Sequence, residues 1–174
     1  MQTILKYTAP SRLLHWLMAL LIAAMFTTVW VAEDAPEWLD HTLVNMHKSF
    51  GIVLLALIVI RIVARVASPR VEPIKASPAI QKGSHAVHGI LYLLLIAMPL
   101  SGWAFVSAFG RKIDFFTLTE LPAILDTNKE LGKAIKEFHE IGANLVLVLV
   151  IAHVAAAAYH HFLLKDKLMD RMLP

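Results

Sequence analysis

With 174 residues, 58% of them hydrophobic, and a mean hydropathy of +0.65, the chain is too apolar for a soluble domain of its size and belongs in a bilayer. The absence of cysteine excludes disulfides, thiolate-ligated iron–sulfur clusters and cysteine zinc sites, leaving any metal chemistry to nine histidines, to carboxylates or to a carried cofactor. The net charge of +3 and pI near 9.3 reflect where the basic residues stand along the membrane topology, so they are no argument for a nucleic-acid partner.

Four stretches reach the length of about 20 mainly apolar residues that hydrocarbon requires. The first, Leu13 to Ala32, has no Ala-x-Ala cleavage signal before Glu33 and Asp34, and is expected to be a retained helix rather than a leader. A short acidic loop, Glu33 to Asp40 with Pro36, leads to the second span, Met46 to Val66. Ser68 to Ser84, carrying Pro69, Pro73 and Pro78, reads as an extended, non-helical strap. The third span, His88 to Phe109, contains Pro99, which is expected to kink it, and it serves as wall rather than ligand. The longest loop, Gly110 to Lys136, ends in a helical amphipathic pattern over Asn128 to Phe138 that is expected to run into the fourth span, Glu140 to Leu164. The fold class is therefore an all-α membrane protein, a four-helix transmembrane bundle running up-down-up-down.

Charge orients it. The N-terminus, the Arg61 to His88 region and the C-terminal tail hold ten of the sixteen basic residues and three of the thirteen acids. Basic residues near span ends stay on the inner side, which makes both termini cytoplasmic. Trp16, Trp30, Trp38 and Trp103 suit the two interfaces, and Gly51, Gly89, Gly102 and Gly142 lie in or beside the spans, where a small residue admits either a flat cofactor or a neighboring helix.

Ionisable residues inside a membrane are expensive and usually face a partner in the bundle. His139 and His153 are 14 residues apart in the fourth span, about 21 Å along one face of a helix, so a single helix can offer one imidazole to each of two stacked sites. His47 begins the second span near the outer surface, as His139 begins the fourth, while His15 and His153 lie in the inner half. Two imidazoles opposed across a bundle suit a six-coordinate heme b, held without covalent attachment because Cys-x-x-Cys-His is absent. Zinc would recruit third and fourth ligands, and no intramembrane carboxylate is available to supply them.

The runs Arg12-Leu-Leu-His15-Trp16, Asn45-Met-His47-Lys-Ser-Phe-Gly51 and His139-Glu-Ile-Gly-Ala-Asn with His153, in this order and closed by His160-His161, resemble the bacterial cytochrome b561 family, which is related to the cytochrome b subunits of nickel hydrogenases and formate dehydrogenases. The resemblance covers residues 1–174 as one domain. It implies two noncovalent hemes b with bis-histidine ligation, the inner one by His15 and His153 and the outer one by His47 and His139. Depth counting alone pairs His15 with His160 as readily, because His15 is three residues from Arg12 while His153 is twelve from Lys165.

Arg12, Arg61 and Arg65 can pair with propionates of the inner heme or serve only as topology signals. His85, His88, His160 and His161 can hold propionates or a quinone headgroup, or anchor the chain at the interface. His41 reads as solvated. The leading function is a diheme cytochrome of the bacterial inner membrane that passes electrons between an outer-face donor, superoxide being one candidate, and ubiquinone or menaquinone. Lys112, Lys129, Lys133 and Lys136 can attract an anion, though five acids in the same loop offset them. The alternatives are a membrane-anchor cytochrome subunit of a larger redox enzyme and a heme-free, histidine-lined transporter, with a homodimer left open as the assembly.

Overall fold

The computed structural model describes residues 6–69, 71 and 77–173. Four helices dominate: α1 (Ala9–Glu33), α2 (Glu37–Ala67), α3 (Pro78–Ala108) and α4 (Lys129–Tyr159). All four are long and apolar enough to cross a membrane, and at 31 residues, or about 46 Å, α2, α3 and α4 each overreach a hydrocarbon core of about 30 Å.

The boundaries follow local chemistry. The connection from α1 to α2 is only Asp34 to Pro36, and α2 starts nine residues before the expected Met46, with Glu37 and Asp40 in its first turn, where carboxylates complement the helix dipole. The expected strap over Ser68 to Ser84 is shorter than its prolines suggest. Pro78 stands at the start of α3, where its missing N–H is not needed, and the Ser77 hydroxyl accepts the Ile80 amide. Pro73 lies outside the described residues. Helix α3 runs unbroken through Pro99. Asn128 caps α4, its Oδ1 accepting the Leu131 amide at 3.0 Å, so this helix does run from the loop into the fourth span as expected.

Inside the long loop is an element the periodicity does not show. Strands β1 (Ile113–Phe115) and β2 (Thr119–Leu121) form an antiparallel hairpin whose turn uses the left-handed conformations of Phe116 and Thr117. Its anchor is Ser49 of α2, 1% exposed, whose hydroxyl donates to the Asp114 carbonyl at 3.3 Å and accepts the Phe116 amide at 3.0 Å. Phe116 also meets the Phe50 ring at 5.8 Å. Removing a buried hydroxyl strands both backbone groups, at a cost of about 1–3 kcal/mol. Ser49→Ala is therefore expected to speed proteolytic nicking at residues 115–118 without changing helix content, as read by limited digestion beside circular dichroism.

The interior is thin. Met18, Leu54 and Ile58 form one buried cluster between α1 and α2, and Leu94, Met98 and Val146 form another between α3 and α4. Leu20, Val66, Val148 and Leu163 are 62–82% exposed, an inversion that lipid tolerates and water does not. Helix α1 packs along α2, α2 on α3 and α3 on α4, whereas α1 and α4 do not pack along their lengths. The end bearing both termini is tied by polar groups: Thr8 bonds Ser11 and Ser68, and Arg61 of α2 donates to the Ser11 carbonyl at 2.9 Å and to the Tyr92 hydroxyl at 3.2 Å.

Candidate functional site

Two pairs of histidines lie across the bundle, one near each end. Toward the hairpin end, His47 of α2 faces His139 of α4 with ring centroids 6.3 Å apart and planes at 79°. Their tautomers follow from their partners. His47 Nδ1 lies 3.1 Å from the Met25 carbonyl, which can only accept, so Nδ1 carries the proton. His139 Nδ1 lies 3.0 Å from Ser101 Oγ, whose own proton is donated to the Met98 carbonyl at 2.8 Å, so the serine oxygen accepts and Nδ1 again carries the proton. With Nδ1 so engaged, Nε2 is the nitrogen left on each ring to bind a metal.

The neighborhood of His139 is built around it. A Cβ on Gly102 would stand 3.2 Å from His139 Cε1, so the glycine makes room for the ring, and Phe105 lies edge-on at 5.5 Å. Gly142 serves helix packing instead, since a Cβ there would meet Met98 Sδ at 2.5 Å. Helix α3 is thus more than a wall: it supplies Ser101 and Gly102 at this pair and His88 at the other. Sequence reasoning missed Ser101; the signal open to it was a hydroxyl beside a glycine within an apolar run.

Toward the terminal end, His15 of α1 faces His153 of α4 with centroids 6.2 Å apart and planes at 79°. Depth counting left His160 as an equal partner for His15, and the structure brings His153 to it. His88 approaches His153 from α3 at 5.4 Å, and Trp16 flanks His15 at the same distance. Among the described residues neither His15 nor His153 makes a hydrogen bond to a protein group.

Both spacings fit a metal held between the rings. Two metal–imidazole bonds of about 2 Å, plus about 1.1 Å from each nitrogen to its ring center, give about 6.2 Å. Among the described residues no group of three or more His, Cys, Asp or Glu is disposed to hold a bare ion. Donors in opposed pairs suit a metal whose remaining ligands come from a flat macrocycle, and α1 and α4, unpacked against each other, leave the width for one.

Arg12 and His160 lie with the C-terminal tail. Helix α4 widens into a π-turn at His160–Leu164, reverses through Lys165 in the left-handed region, and returns Asp166 to His160 Nδ1 at 2.5 Å. The other carboxylate oxygen accepts the Leu168 amide at 3.1 Å. The tail then laps onto α1: Tyr7 N donates to the Arg171 carbonyl, Trp16 Nε1 to that of Met172 and Arg12 Nη1 to that of Leu173, at 3.1, 2.9 and 2.9 Å. Arg12 Nε is buried with no hydrogen-bond partner among the described residues. His161 meets Phe162 edge-on, His85 is exposed, and His41 is exposed beside Glu37.

Burial alone would push the Asp166 carboxyl up, but the His160 hydrogen bond, the Leu168 amide and the imidazole charge together hold it below the usual carboxylate range. A depressed folded value means the tail gains stability above the ordinary carboxylate pKa of about 4 and loses it as pH falls through the folded one. Asp166→Ala is expected to speed exchange of the Leu168 amide about tenfold at neutral pH. The wild type should approach that rate only in acid; an exchange rate in the variant equal to the wild type at pH 7 would remove Asp166 as the clasp.

The family model described as prokaryotic cytochrome b561 matches residues 6–174. The chain is similar, at 34% identity over 97% of its length and 91% of the relative's, to cytochrome b561 homolog 2 of Escherichia coli (strain K12). It is similar to a probable superoxide oxidase CybB of Yersinia pestis at 32% identity, covering 97% and 96% of the two chains. With cytochrome b561 homolog 1 of Escherichia coli (strain K12) the identity is 30%, covering 97% of each.

Proposed function

Because the chain belongs to the prokaryotic cytochrome b561 family, whose members are heme-containing electron-transfer proteins of the bacterial inner membrane, we propose that it carries two hemes b and moves electrons between an outer-face donor and quinone. The observation that carries this reading is the repetition of one geometry: imidazoles opposed at 6.2 Å near one end of the bundle and at 6.3 Å near the other. His15 and His153 would hold one heme and His47 and His139 the second. When bound, the hemes supply the one-electron carriers, and the chain's part is to orient the ligands, exclude water and set the charge around them.

The positive-inside pattern assigns the terminal end to the cytoplasm and the hairpin end to the outer face. Quinone then meets the chain at the terminal end, where the buried Arg12 Nε offers a donor and Asp166 orients His160. Quinone takes two electrons and two protons to become quinol, so a proton-bearing pair open to the cytoplasm suits that end. The donor meets the hairpin end. The name of the Yersinia pestis relative favors superoxide, two of which would supply both electrons and leave as dioxygen. Lys112, Lys133 and Lys136 are paired with Glu120, Glu130 and Glu140, so the cations nearest His47 that could draw in an anion are Lys48 and, within its electrostatic reach, Arg111.

An oxidised-minus-reduced spectrum with heme quantification tests the core of this. Two hemes per chain are expected, and no α-band on reduction would sink every cytochrome reading. Superoxide consumption that requires ubiquinone-1 supports the full reaction, whereas two hemes with no quinone-dependent turnover would return the chain to the role of an anchor subunit fed by a docked enzyme.

A further inference from the structure

The two histidine pairs match in spacing and differ in what stands behind them. At the hairpin end both rings donate Nδ1–H, His47 to the Met25 carbonyl and His139 to Ser101 Oγ. Such a bond raises the electron-donating strength of the imidazole, and a stronger donor favors ferric over ferrous iron. The serine is well set to accept, because its hydroxyl proton is already committed to Met98. At the terminal end neither ring has a protein acceptor among the described residues.

Charge acts in the same direction. Arg61 is fixed by the Ser11 carbonyl, one turn before His15 on α1, and by the Tyr92 hydroxyl on α3, so its cation is built into the terminal end and not free to swing away. It acts electrostatically on both His15 and His153. Arg65 lies over the Tyr7 ring at 4.7 Å nearby, and Asp166, one of the acids of this end, is engaged by His160. At the hairpin end Lys48 has Arg111 within its electrostatic reach and is partly offset by Asp114, and Lys136 is paired with Glu140. A fixed, partly buried cation favors the iron state with one fewer positive charge.

We propose that Ser101 and Arg61 are positioning residues that split the potentials of the two sites, Ser101 lowering the hairpin-end heme and Arg61 raising the terminal-end heme, so that electrons run downhill from the hairpin end to the terminal end. This deepens the two-heme reading and rests on it. The chain thereby sets the direction of flow without moving any part.

The test is an anaerobic redox titration of the purified holoprotein, followed at the α-band, with heme counted on the same sample. The wild type is expected to titrate in two one-electron waves, the higher of which survives in His139→Ala. Ser101→Ala should move only the lower wave upward, by about tenfold in the reduction equilibrium, or about 59 mV for one electron. Ser101→Thr, which keeps the hydroxyl, should restore it. Arg61→Gln should move only the higher wave downward, with Arg61→Lys restoring part of the shift. Survival of the lower wave in His139→Ala, or a Ser101→Ala titration superimposable on the wild type, would overturn the proposal. A wild-type count below two hemes per chain would instead overturn the reading beneath it.

Discussion

Alanine at His139 or at His47 is expected to remove one heme of two and leave the terminal-end heme in place; alanine at His15 or His153 should do the reverse. The expectation follows from how each ring is held. His47 and His139 are oriented by hydrogen bonds they donate to α1 and α3, so deleting one ring would leave a heme there held by its partner alone, too weakly to keep it in a thin membrane core. Because α1 and α4 do not pack along their lengths, a heme between His15 and His153 would also stitch these helices together. Its loss should therefore lower the thermal midpoint of the remaining protein as well as its heme content, since a ligand that binds only the folded state stabilises it by mass action. Pyridine hemochrome counts and melting in detergent measure both effects. His88 supplies the control. Its ring is 5.4 Å from His153, short of the about 6.2 Å that two opposed rings on one metal need, so His88→Ala should retain two hemes. Retention of both hemes in His153→Ala would transfer the ligand role to His88, the imidazole already beside the site.

How much of this was open to the sequence depends on the kind of signal. The spans were legible because hydrocarbon asks only for length and apolarity, and each of the four expected stretches lies largely within a helix. Their ends were not, because polar residues can extend a helix beyond the bilayer: α2 starts at Glu37, and Pro78 starts a helix instead of ending a strap. The hairpin escaped because strands of three residues give no period to read. The pair His47 and His139 was legible from order and depth, whereas the pair His15 and His153 rested on the family resemblance, since depth alone could not choose between His153 and His160. That choice is made by the π-turn and the left-handed Lys165, which turn His160 to Asp166. Ser101 stands 38 residues from His139, and no local pattern announces that a hydroxyl in one span will receive the proton of a ring in another.

Gly102→Leu is expected to reproduce the loss seen with His139→Ala while leaving His139 itself in the chain. A Cβ at this position would already crowd His139 Cε1 at 3.2 Å, and the further atoms of leucine need the volume that the ring occupies. The ring cannot retreat sideways, since Phe105 lies at 5.5 Å and Ser101 holds its Nδ1. Displacement would break the Ser101 bond and carry Nε2 out of line with His47, whose own ring is fixed by Met25. The terminal-end pair, His15 and His153, lies at the other end of the bundle, so the heme proposed there should remain and the count should fall from two to one. Gly102→Ala separates the two parts of the argument: its single methyl asks the ring to yield by only a few tenths of an ångström, so both hemes should stay, with the hairpin-end wave shifted in a redox titration. Two hemes in the leucine variant would show that the ring can be seated another way, and would remove the glycine from the architecture of the site.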